Sequence, residues 1–263
     1  MSATYFRKQI ILPTEHGSWS WLLVPLFVGV GVAGLWNTAV TLILLGALAA
    51  FLMRQPASVW LRVQQGRARQ DNGPIALGWL LGFGGMAAGC LIGLLIMGHG
   101  ALLWLFVPIT AVLLIYLIAV RQRRSLGMEL AGASILAVTA AAVLVVVDGR
   151  FTAQAIILWA LMAAQNVLGA LYVRLRIADT HKRPMNRTVV FIPHLVIFIL
   201  CLVTGFINMT PLLAALPFFG ILLRASWARS QPRPIANIKR FGFAEIGVEI
   251  ASGLLIVISY RLV

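Results

Sequence analysis

Long apolar runs follow one another along nearly the whole chain, and short polar breaks separate them. We count nine such runs, at about residues 18–35, 37–53, 75–97, 101–120, 127–147, 152–172, 188–207, 209–227 and 243–261. Each run is long enough to cross a hydrocarbon core of roughly 30 Å. Only helices or a closed barrel satisfy every backbone group in lipid, and these runs are too long for barrel strands and do not alternate. The pattern therefore predicts an all-α bundle of about nine transmembrane helices.

The polar segments between the runs differ in length. Breaks such as "MGHGA" and "VDGRF" are typical of tight turns, whereas residues 54–74, 173–187 and 228–245 are long enough to form loops. Proline removes a backbone hydrogen bond from a helix, so we expect the second span to end near Pro56. Binding and catalytic residues concentrate on loops that a rigid scaffold holds. These three segments are therefore expected to carry functional residues.

The composition agrees with a membrane protein. Hydrophobic residues make up 61% of the 263 residues and charged residues 11%, whereas soluble domains contain roughly 25% charged residues. The first run has no small-residue cleavage site after it, so we interpret it as a retained span rather than a signal peptide. Cys90 and Cys201 lie in apolar runs and are expected to be buried without a disulfide. We predict a single integral membrane domain over residues 1–263.

The basic residues provide an independent test of this topology. If the N-terminus is cytoplasmic, 19 of the 21 Lys and Arg residues fall in cytoplasmic segments, and only Arg150 and Arg261 fall outside. That asymmetry follows the positive-inside rule and predicts an internal N-terminus and an external C-terminus. The same distribution explains the net charge of +14. Membrane lipids, and not nucleic acid, are therefore the expected partners.

Acidic residues are few, and most lie at the predicted cytoplasmic ends of the spans. Glu15 and His16 precede the first span in "TEHGSWSW", whereas Glu129 lies in the first turn of the fifth span. Glu249 lies about one turn inside the ninth span, where an ionisable residue usually faces a partner or a wet cavity. The candidate catalytic residues are Glu15, His16, Glu129 and Glu249. The alternatives are a favourable position at a helix N-terminus for Glu15 and a surface ion pair for Glu129.

Arginine side chains supply candidate phosphate binders in the longer segments. Guanidinium groups bind phosphate oxygens in a bidentate manner without a metal. The candidate ligand-binding residues are Arg54, Arg62, Arg174, Arg176, Asp179, Arg183 and Glu245. The alternative for Arg54 is that it anchors its helix at the membrane interface. No spacing of His, Cys or acidic residues indicates a metal site.

The predicted architecture resembles the UbiA superfamily of intramembrane prenyltransferases, and "IADTHKRPMNRTVVF" is similar to the second Asp-rich stretch of that family. The resemblance implies a prenyl diphosphate substrate and Mg²⁺, with Asp179 at a metal-binding position and Arg187 and Thr188 at a basic-Thr step. The first loop departs from the family pattern, because "RQPASVWLR" contains no acid. We therefore expect an isoprenoid or another anionic-headgroup lipid to bind at a cytoplasmic-side cavity without the usual metal.

A closer resemblance is to the YwiC-like family of bacterial membrane proteins. The strings that carry it are "TEHGSWSW", "RQPASVWLR", "GMELAGAS" and "KRFGFAEIGVE", which extend over almost the entire chain. This resemblance implies a multi-pass protein of the bacterial inner membrane, and it identifies neither a cofactor nor a protein partner.

Three functions are consistent with these residues. The first is a divergent UbiA-like protein that binds an isoprenoid, quinone-like or other anionic-headgroup lipid and, if an enzyme, transfers it. The second is a carrier for a small anion, although the internal repeat that carriers often show is missing. The third is an accessory or assembly factor of a respiratory membrane complex.

Overall fold

The computed structural model of the chain describes residues 7–13, 17–107, 109 and 126–262. Regular structure in these ranges is helical, and they contain no strand. Glu15, His16 and most of the predicted span at 101–120 lie outside the described residues. For the rest of the chain, the prediction of an all-helical protein is confirmed.

The helices occur in the following order along the chain. They are α1 (Lys8–Ile11), α2 (Gly17–Ala33), α3 (Thr38–Gln64), α4 (Asn72–Ile96), α5 (Leu126–Leu136), α6 (Val138–Asp148), α7 (Ala153–Thr180), α8 (Arg187–Phe206), α9 (Leu216–Ser230) and α10 (Ile238–Arg261). Two short 3₁₀ helices, Gly100–Leu105 and Leu212–Ala215, lie between them.

Within the described ranges, seven helices are long and apolar enough to cross a membrane. They are Thr38–Gln64, Asn72–Ile96, Leu126–Asp148, Ala153–Thr180, Arg187–Phe206, Leu212–Ser230 and Ile238–Arg261, where Leu126–Asp148 combines α5 with α6 and Leu212–Ser230 combines the second 3₁₀ helix with α9. An eighth apolar helix, α2, is 17 residues long. Every predicted span other than 101–120 coincides with one of these helices, and a multi-pass membrane protein follows from them.

The described residues fall into two compact units. The first contains residues 7–13 and 36–100, in which α3 and α4 pack along each other and α1 packs against both. A buried apolar cluster joins the three helices at one end. Its residues are Ile10, Val59, Ile75 and Ala76, with Trp60 and Trp79 packed against them.

Residues 54–64 are helical rather than the start of a loop, so the expectation that α3 ends near Pro56 is wrong. Pro56 lies inside α3, and the helix continues to Gln64. The reason is a second apolar stripe, because Pro56, Val59 and Val63 are all buried and share one helical face. The free energy gained by burial of that stripe offsets the loss of the hydrogen bond that proline removes. The expectation from the sequence considered only the loss.

The second unit contains residues 17–35 together with the described residues after 100, and α2 packs against α5, α6, α7 and α10 within it. Packing of α2 on α6 is close, because a Cβ atom at Gly29 would lie 2.7 Å from the Ala140 carbonyl oxygen. The Thr139 hydroxyl donates to the Leu22 carbonyl at 3.1 Å across the same contact. Small residues allow such approach between membrane helices, and the hydroxyl adds a polar link.

The polar segments of the second unit are also shorter than predicted. Helix α7 extends to Thr180, and the connection between α9 and α10 shortens to residues 231–237. Consequently Arg174, Arg176 and Asp179 are helical, and their assignment to a loop is wrong. The cause is again amphipathic continuation, because beyond the apolar run, which ends at residue 172, α7 still buries Leu175 on the same face as Leu171.

The two cysteines are buried and free of disulfides, as predicted. Cys90 lies in α4 of the first unit and Cys201 in α8 of the second.

Candidate functional site

The predicted ligand-binding residues of the first unit lie on α3. Arg54 and Arg62 are both exposed. The Arg54 Cζ atom lies 5.3 Å from the centre of the Phe51 ring, and the Arg62 Nε atom donates to the Ser58 carbonyl at 3.2 Å. A clamp that combines these two arginines with arginines of the second unit stays a prediction.

Guanidinium groups and aromatic rings of the second unit meet near the end of α7, the end of α9 and the start of α10. We call this group the arginine–aromatic cluster, and its members are Tyr172, Arg176, Arg224, Trp227, Arg233 and Phe241. The Arg224 Cζ atom lies 3.9 Å from the centre of the Tyr172 ring, and the Arg233 Cζ atom lies 3.9 Å from that of Trp227. Cation–π contacts of this kind strengthen as the site loses water.

Arg176 connects the members of the cluster. Its Nη1 atom donates to the Tyr172 hydroxyl at 2.7 Å, and its Nε atom donates to the Arg233 carbonyl at 2.8 Å. The Arg176 Cζ atom also lies 5.6 Å from the centre of the Trp227 ring and 5.2 Å from that of Phe241. Tyr172, which is only 2% exposed, stacks on Phe241. These contacts fix the orientation of the Arg176 side chain.

The cluster carries more positive than negative charge. Arg224 Nη1 donates to Glu245 Oε2 at 2.7 Å, and the two side chains are only 18% and 16% exposed. Three guanidinium groups beside this one carboxylate leave two positive charges uncompensated within the cluster. The Nε atoms of Arg224 and Arg233 are buried and have no hydrogen-bond partner among the described residues. Buried donors without acceptors are costly, so the arrangement favours an added anion.

Asp179 holds the 231–237 connection against the end of α7. Its carboxylate accepts hydrogen bonds from the Arg187 guanidinium and, at 2.7 Å, from the Arg233 backbone N–H. The neighbouring Thr180 hydroxyl accepts from the Ile235 backbone N–H at 2.8 Å. Because Asp179 is 4% exposed at its side chain, this is a buried ion pair that positions Arg233 in the cluster.

Glu129 and Arg174 form a surface ion pair with each other. Their charged atoms are 3.3 Å apart, and the side chains are 42% and 43% exposed. Such exposed pairs contribute little to stability. Arg183 is exposed after the end of α7. The predicted roles of Glu129, Arg174 and Arg183 in chemistry or binding stay predictions.

Glu249 lies deeper in the second unit, at the twelfth residue of α10 and therefore about 17 Å from the start of that helix. The Ser20 hydroxyl lies beside its carboxyl group but donates to the Gly17 carbonyl at 2.8 Å, and the Glu249 Oε1 atom is buried without a partner among the described residues. The expectation that Glu249 has a partner or faces a wet cavity stays a prediction. The catalytic roles predicted for Glu15 and His16 fall outside the described residues.

Several site residues were not singled out by the sequence analysis. Arg224 and Arg233 were counted only among the basic residues that determine the topology. Gln165 and Asn166 lie in an apolar tract in the middle of α7. Two adjacent amides within one membrane span are expensive to bury, and that cost was the available signal for them. The contacts of Arg233 with Arg176 and Asp179 join distant parts of the chain, so no local pattern reveals them.

The Mg²⁺ that the UbiA resemblance implies does not fit the residues present. No group of three His, Cys, Asp or Glu side chains in the described part of the chain is arranged to hold a metal ion. Both oxygens of Asp179, the expected metal ligand, accept hydrogen bonds from Arg187 and Arg233. Mg²⁺ requires several oxygen ligands in octahedral geometry, whereas this single carboxylate is already paired with a guanidinium group and belongs to no such group of ligands among the described residues.

Comparison with known proteins places the chain in a family. A family model described as YwiC-like protein matches residues 12–146, a little over half of the chain. The chain belongs to the YwiC-like family. No curated protein and no solved structure matches it. A UbiA-like architecture therefore stays a prediction.

The match supports the YwiC-like resemblance over residues 12–146. The matched region ends near the end of α6, and the resemblance carried by "KRFGFAEIGVE", which lies beyond it, stays a prediction. In this YwiC-like protein the arginine–aromatic cluster, at residues 172–241, follows the matched region. The case for the cluster as a site thus depends on its own geometry.

Proposed function

We propose that this YwiC-like protein binds the anionic headgroup of a membrane lipid at the arginine–aromatic cluster, with an isoprenoid phosphate or diphosphate as the preferred class. The observation that carries the proposal is the charge surplus at Arg176, Arg224 and Arg233, of which two have a buried Nε donor without a partner. An anion at this position would accept those donors and compensate the surplus.

The geometry of the cluster suits a phosphate group. Guanidinium groups present paired N–H donors at the spacing of phosphate oxygens. The rings of Tyr172, Trp227 and Phe241 lie beside these guanidinium groups and exclude water from one side of them. Electrostatic attraction between opposite charges increases as water is excluded, so an anion gains more here than at an exposed arginine.

The position of the cluster favours a lipid over a dissolved anion. Its residues lie near the ends of α7, α9 and α10, whose apolar parts continue as candidate membrane spans. A headgroup at the cluster would therefore leave its acyl or isoprenoid chain alongside apolar helix surface, in the same hydrocarbon environment as the bilayer. A small anion would gain only the polar contacts.

Binding, rather than transfer, is the activity that these residues support. Metal-free recognition is consistent with the guanidinium groups and with the engaged oxygens of Asp179. Transfer of a prenyl group stays a hypothesis that depends on Glu15, His16, Glu129 and Glu249.

A binding assay with matched probes tests the proposal. The protein in lipid nanodiscs would be titrated with farnesyl diphosphate, farnesol and inorganic pyrophosphate in the presence of a metal chelator. Farnesyl diphosphate should bind best, because it supplies both the charge and the chain. The variants Arg176→Gln and Arg233→Gln should each weaken it about tenfold or more, since a hydrogen bond to a charged group contributes about 1.5–3 kcal/mol.

Arg150→Gln is the matched control, because Arg150 is exposed and precedes the opposite end of α7. It removes the same charge and should leave the affinity unchanged. Equal affinity in Arg233→Gln and Arg150→Gln would refute the site. Equal affinity for farnesol would refute the headgroup contact, and equal affinity for pyrophosphate would replace the lipid by a small anion.

A further inference from the structure

A second polar site lies in the middle of the second unit, away from the arginine–aromatic cluster. Gln165 and Asn166 are consecutive residues of α7 and are 3% and 1% exposed. They are the thirteenth and fourteenth residues of this 28-residue helix, about 20 Å from its first residue. We call these two residues, together with Ser20 and Glu249, the polar layer.

The amide nitrogens of the polar layer bind backbone carbonyls of other helices. Gln165 Nε2 donates to the Glu249 carbonyl at 3.0 Å. Asn166 Nδ2 donates to the Trp21 and Ala133 carbonyls, each at 3.0 Å. These three bonds tie α7 to α10, α2 and α5. They also fix the orientation of both amides, because the nitrogens can bond to carbonyls and the oxygens cannot.

The oxygen atoms of the polar layer are left as acceptors. Gln165 Oε1, Asn166 Oδ1 and Glu249 Oε1 are buried, and none has a hydrogen-bond partner among the described residues. The Ser20 hydroxyl, beside the Glu249 carboxyl, donates to the Gly17 carbonyl at 2.8 Å. The layer therefore contains an excess of acceptor oxygens over donors, and each unsatisfied buried oxygen costs free energy.

A cation is a group that can satisfy several acceptor oxygens together. One proton on Glu249 would supply a donor to a single oxygen, whereas a metal ion coordinates several oxygens at once. The available ligands are amide and carboxylate oxygens, which suit hard cations. The layer contains one carboxylate, so a bound monovalent cation makes its net charge zero. A net charge within a membrane span is costly.

We propose that the polar layer is a binding site for Na⁺, formed by the side-chain oxygens of Gln165, Asn166 and Glu249. The ion would link α7 and α10, which the Gln165 amide already joins, and would stabilise the second unit. This site is independent of the headgroup site proposed above.

Thermal unfolding of the purified protein tests the proposal. Melting temperatures would be measured in Na⁺ and in choline at constant pH and ionic strength. Above the dissociation constant, each tenfold increase in Na⁺ should add about 1.4 kcal/mol of stability. For a chain of this size that corresponds to a rise of about 3–6 °C in Tm.

Glu249→Gln keeps the shape of the side chain and removes its charge, so it should abolish the Na⁺-dependent rise. Asp148→Asn is the matched control, because Asp148 is exposed at the end of α6 and its loss should leave the rise intact. The absence of a Na⁺-dependent rise in the wild type, or its persistence in Glu249→Gln, would overturn the proposal. If that variant does not fold, binding of radioactive Na⁺ to the wild-type protein is measured instead. The proposal requires saturable binding that choline does not displace, and the absence of such binding would overturn it.

Discussion

Substitution of Asp179 by asparagine is the sharpest test of how the arginine–aromatic cluster is held together. The Asp179 carboxylate accepts from the Arg187 guanidinium through one oxygen and from the Arg233 backbone N–H through the other. Asp179→Asn preserves the size of the side chain and one acceptor oxygen. It removes the negative charge and turns an N–H₂ group toward a donor.

The magnitude follows from burial of the pair. The side chains of Asp179 and Arg187 are 4% and 22% exposed, so removal of the carboxylate leaves a largely buried guanidinium without its counter-charge. Removal of one partner of a buried ion pair costs about 3–5 kcal/mol. The guanidinium retains the Ala228 and Gln231 carbonyls as acceptors, which places the expected loss near the lower end of that range. A loss of about 3 kcal/mol corresponds to a fall in Tm of roughly 6–12 °C.

Glu129→Gln provides the comparison, because Glu129 and Arg174 form an ion pair that is 42% and 43% exposed. Exposed pairs contribute about 0–1 kcal/mol, so this variant should unfold almost as the wild type does. Both variants would be followed by equilibrium unfolding in mixed detergent micelles and by thermal melting in nanodiscs. If Asp179→Asn and Glu129→Gln lose equally little free energy of unfolding, then burial of Asp179 does not determine the strength of its contacts.

Two further predictions concern packing and helix ends. Gly29→Ala should cost about 1–3 kcal/mol, because the added Cβ would lie 2.7 Å from the Ala140 carbonyl oxygen, whereas Gly220→Ala, in open space within α9, should be neutral or stabilising in the same melting assay. Asn37→Ala should cost about 0.5–2 kcal/mol, because the Asn37 side chain caps α3. Asp71→Ala, at the start of α4, should cost less because no side-chain hydrogen bond caps that helix; equal losses would contradict the capping argument.

The membrane spans were predictable because transfer of apolar residues into lipid dominates their energetics. The predicted run 188–207 and the helix Arg187–Phe206 differ by one residue at each end. Helix ends that extend into polar segments were not predictable in this way. Leu175 continues the buried face of α7, on the side of Leu171, beyond the predicted run that ends at residue 172. A count of apolar residues in a run misses such a stripe, whereas helical periodicity retains it.

The candidate site was predictable to a smaller extent. Glu249 was singled out because a carboxylate within a span is costly, and the structure does place it deep in α10. The contact between Arg176 and Arg233 joins residues that are 57 positions apart in the chain. Its formation depends on how the 231–237 connection returns to α7, which no local pattern encodes.

Arginines that serve topology and arginines that serve a site can nevertheless be separated by helical phase. Arg174 and Arg176 are two residues apart, so their side chains are turned by about 200° around α7. The positive-inside rule counts them equally, yet Arg174 forms the exposed pair with Glu129 and Arg176 enters the cluster. Arg176 is four residues after Tyr172 and four before Thr180. Its guanidinium donates to the Tyr172 hydroxyl, and its carbonyl accepts from the Thr180 hydroxyl. In α7, polar residues spaced four apart, from Tyr172 at the end of the apolar run to Thr180, therefore mark the face on which Arg176 contacts other groups of the protein.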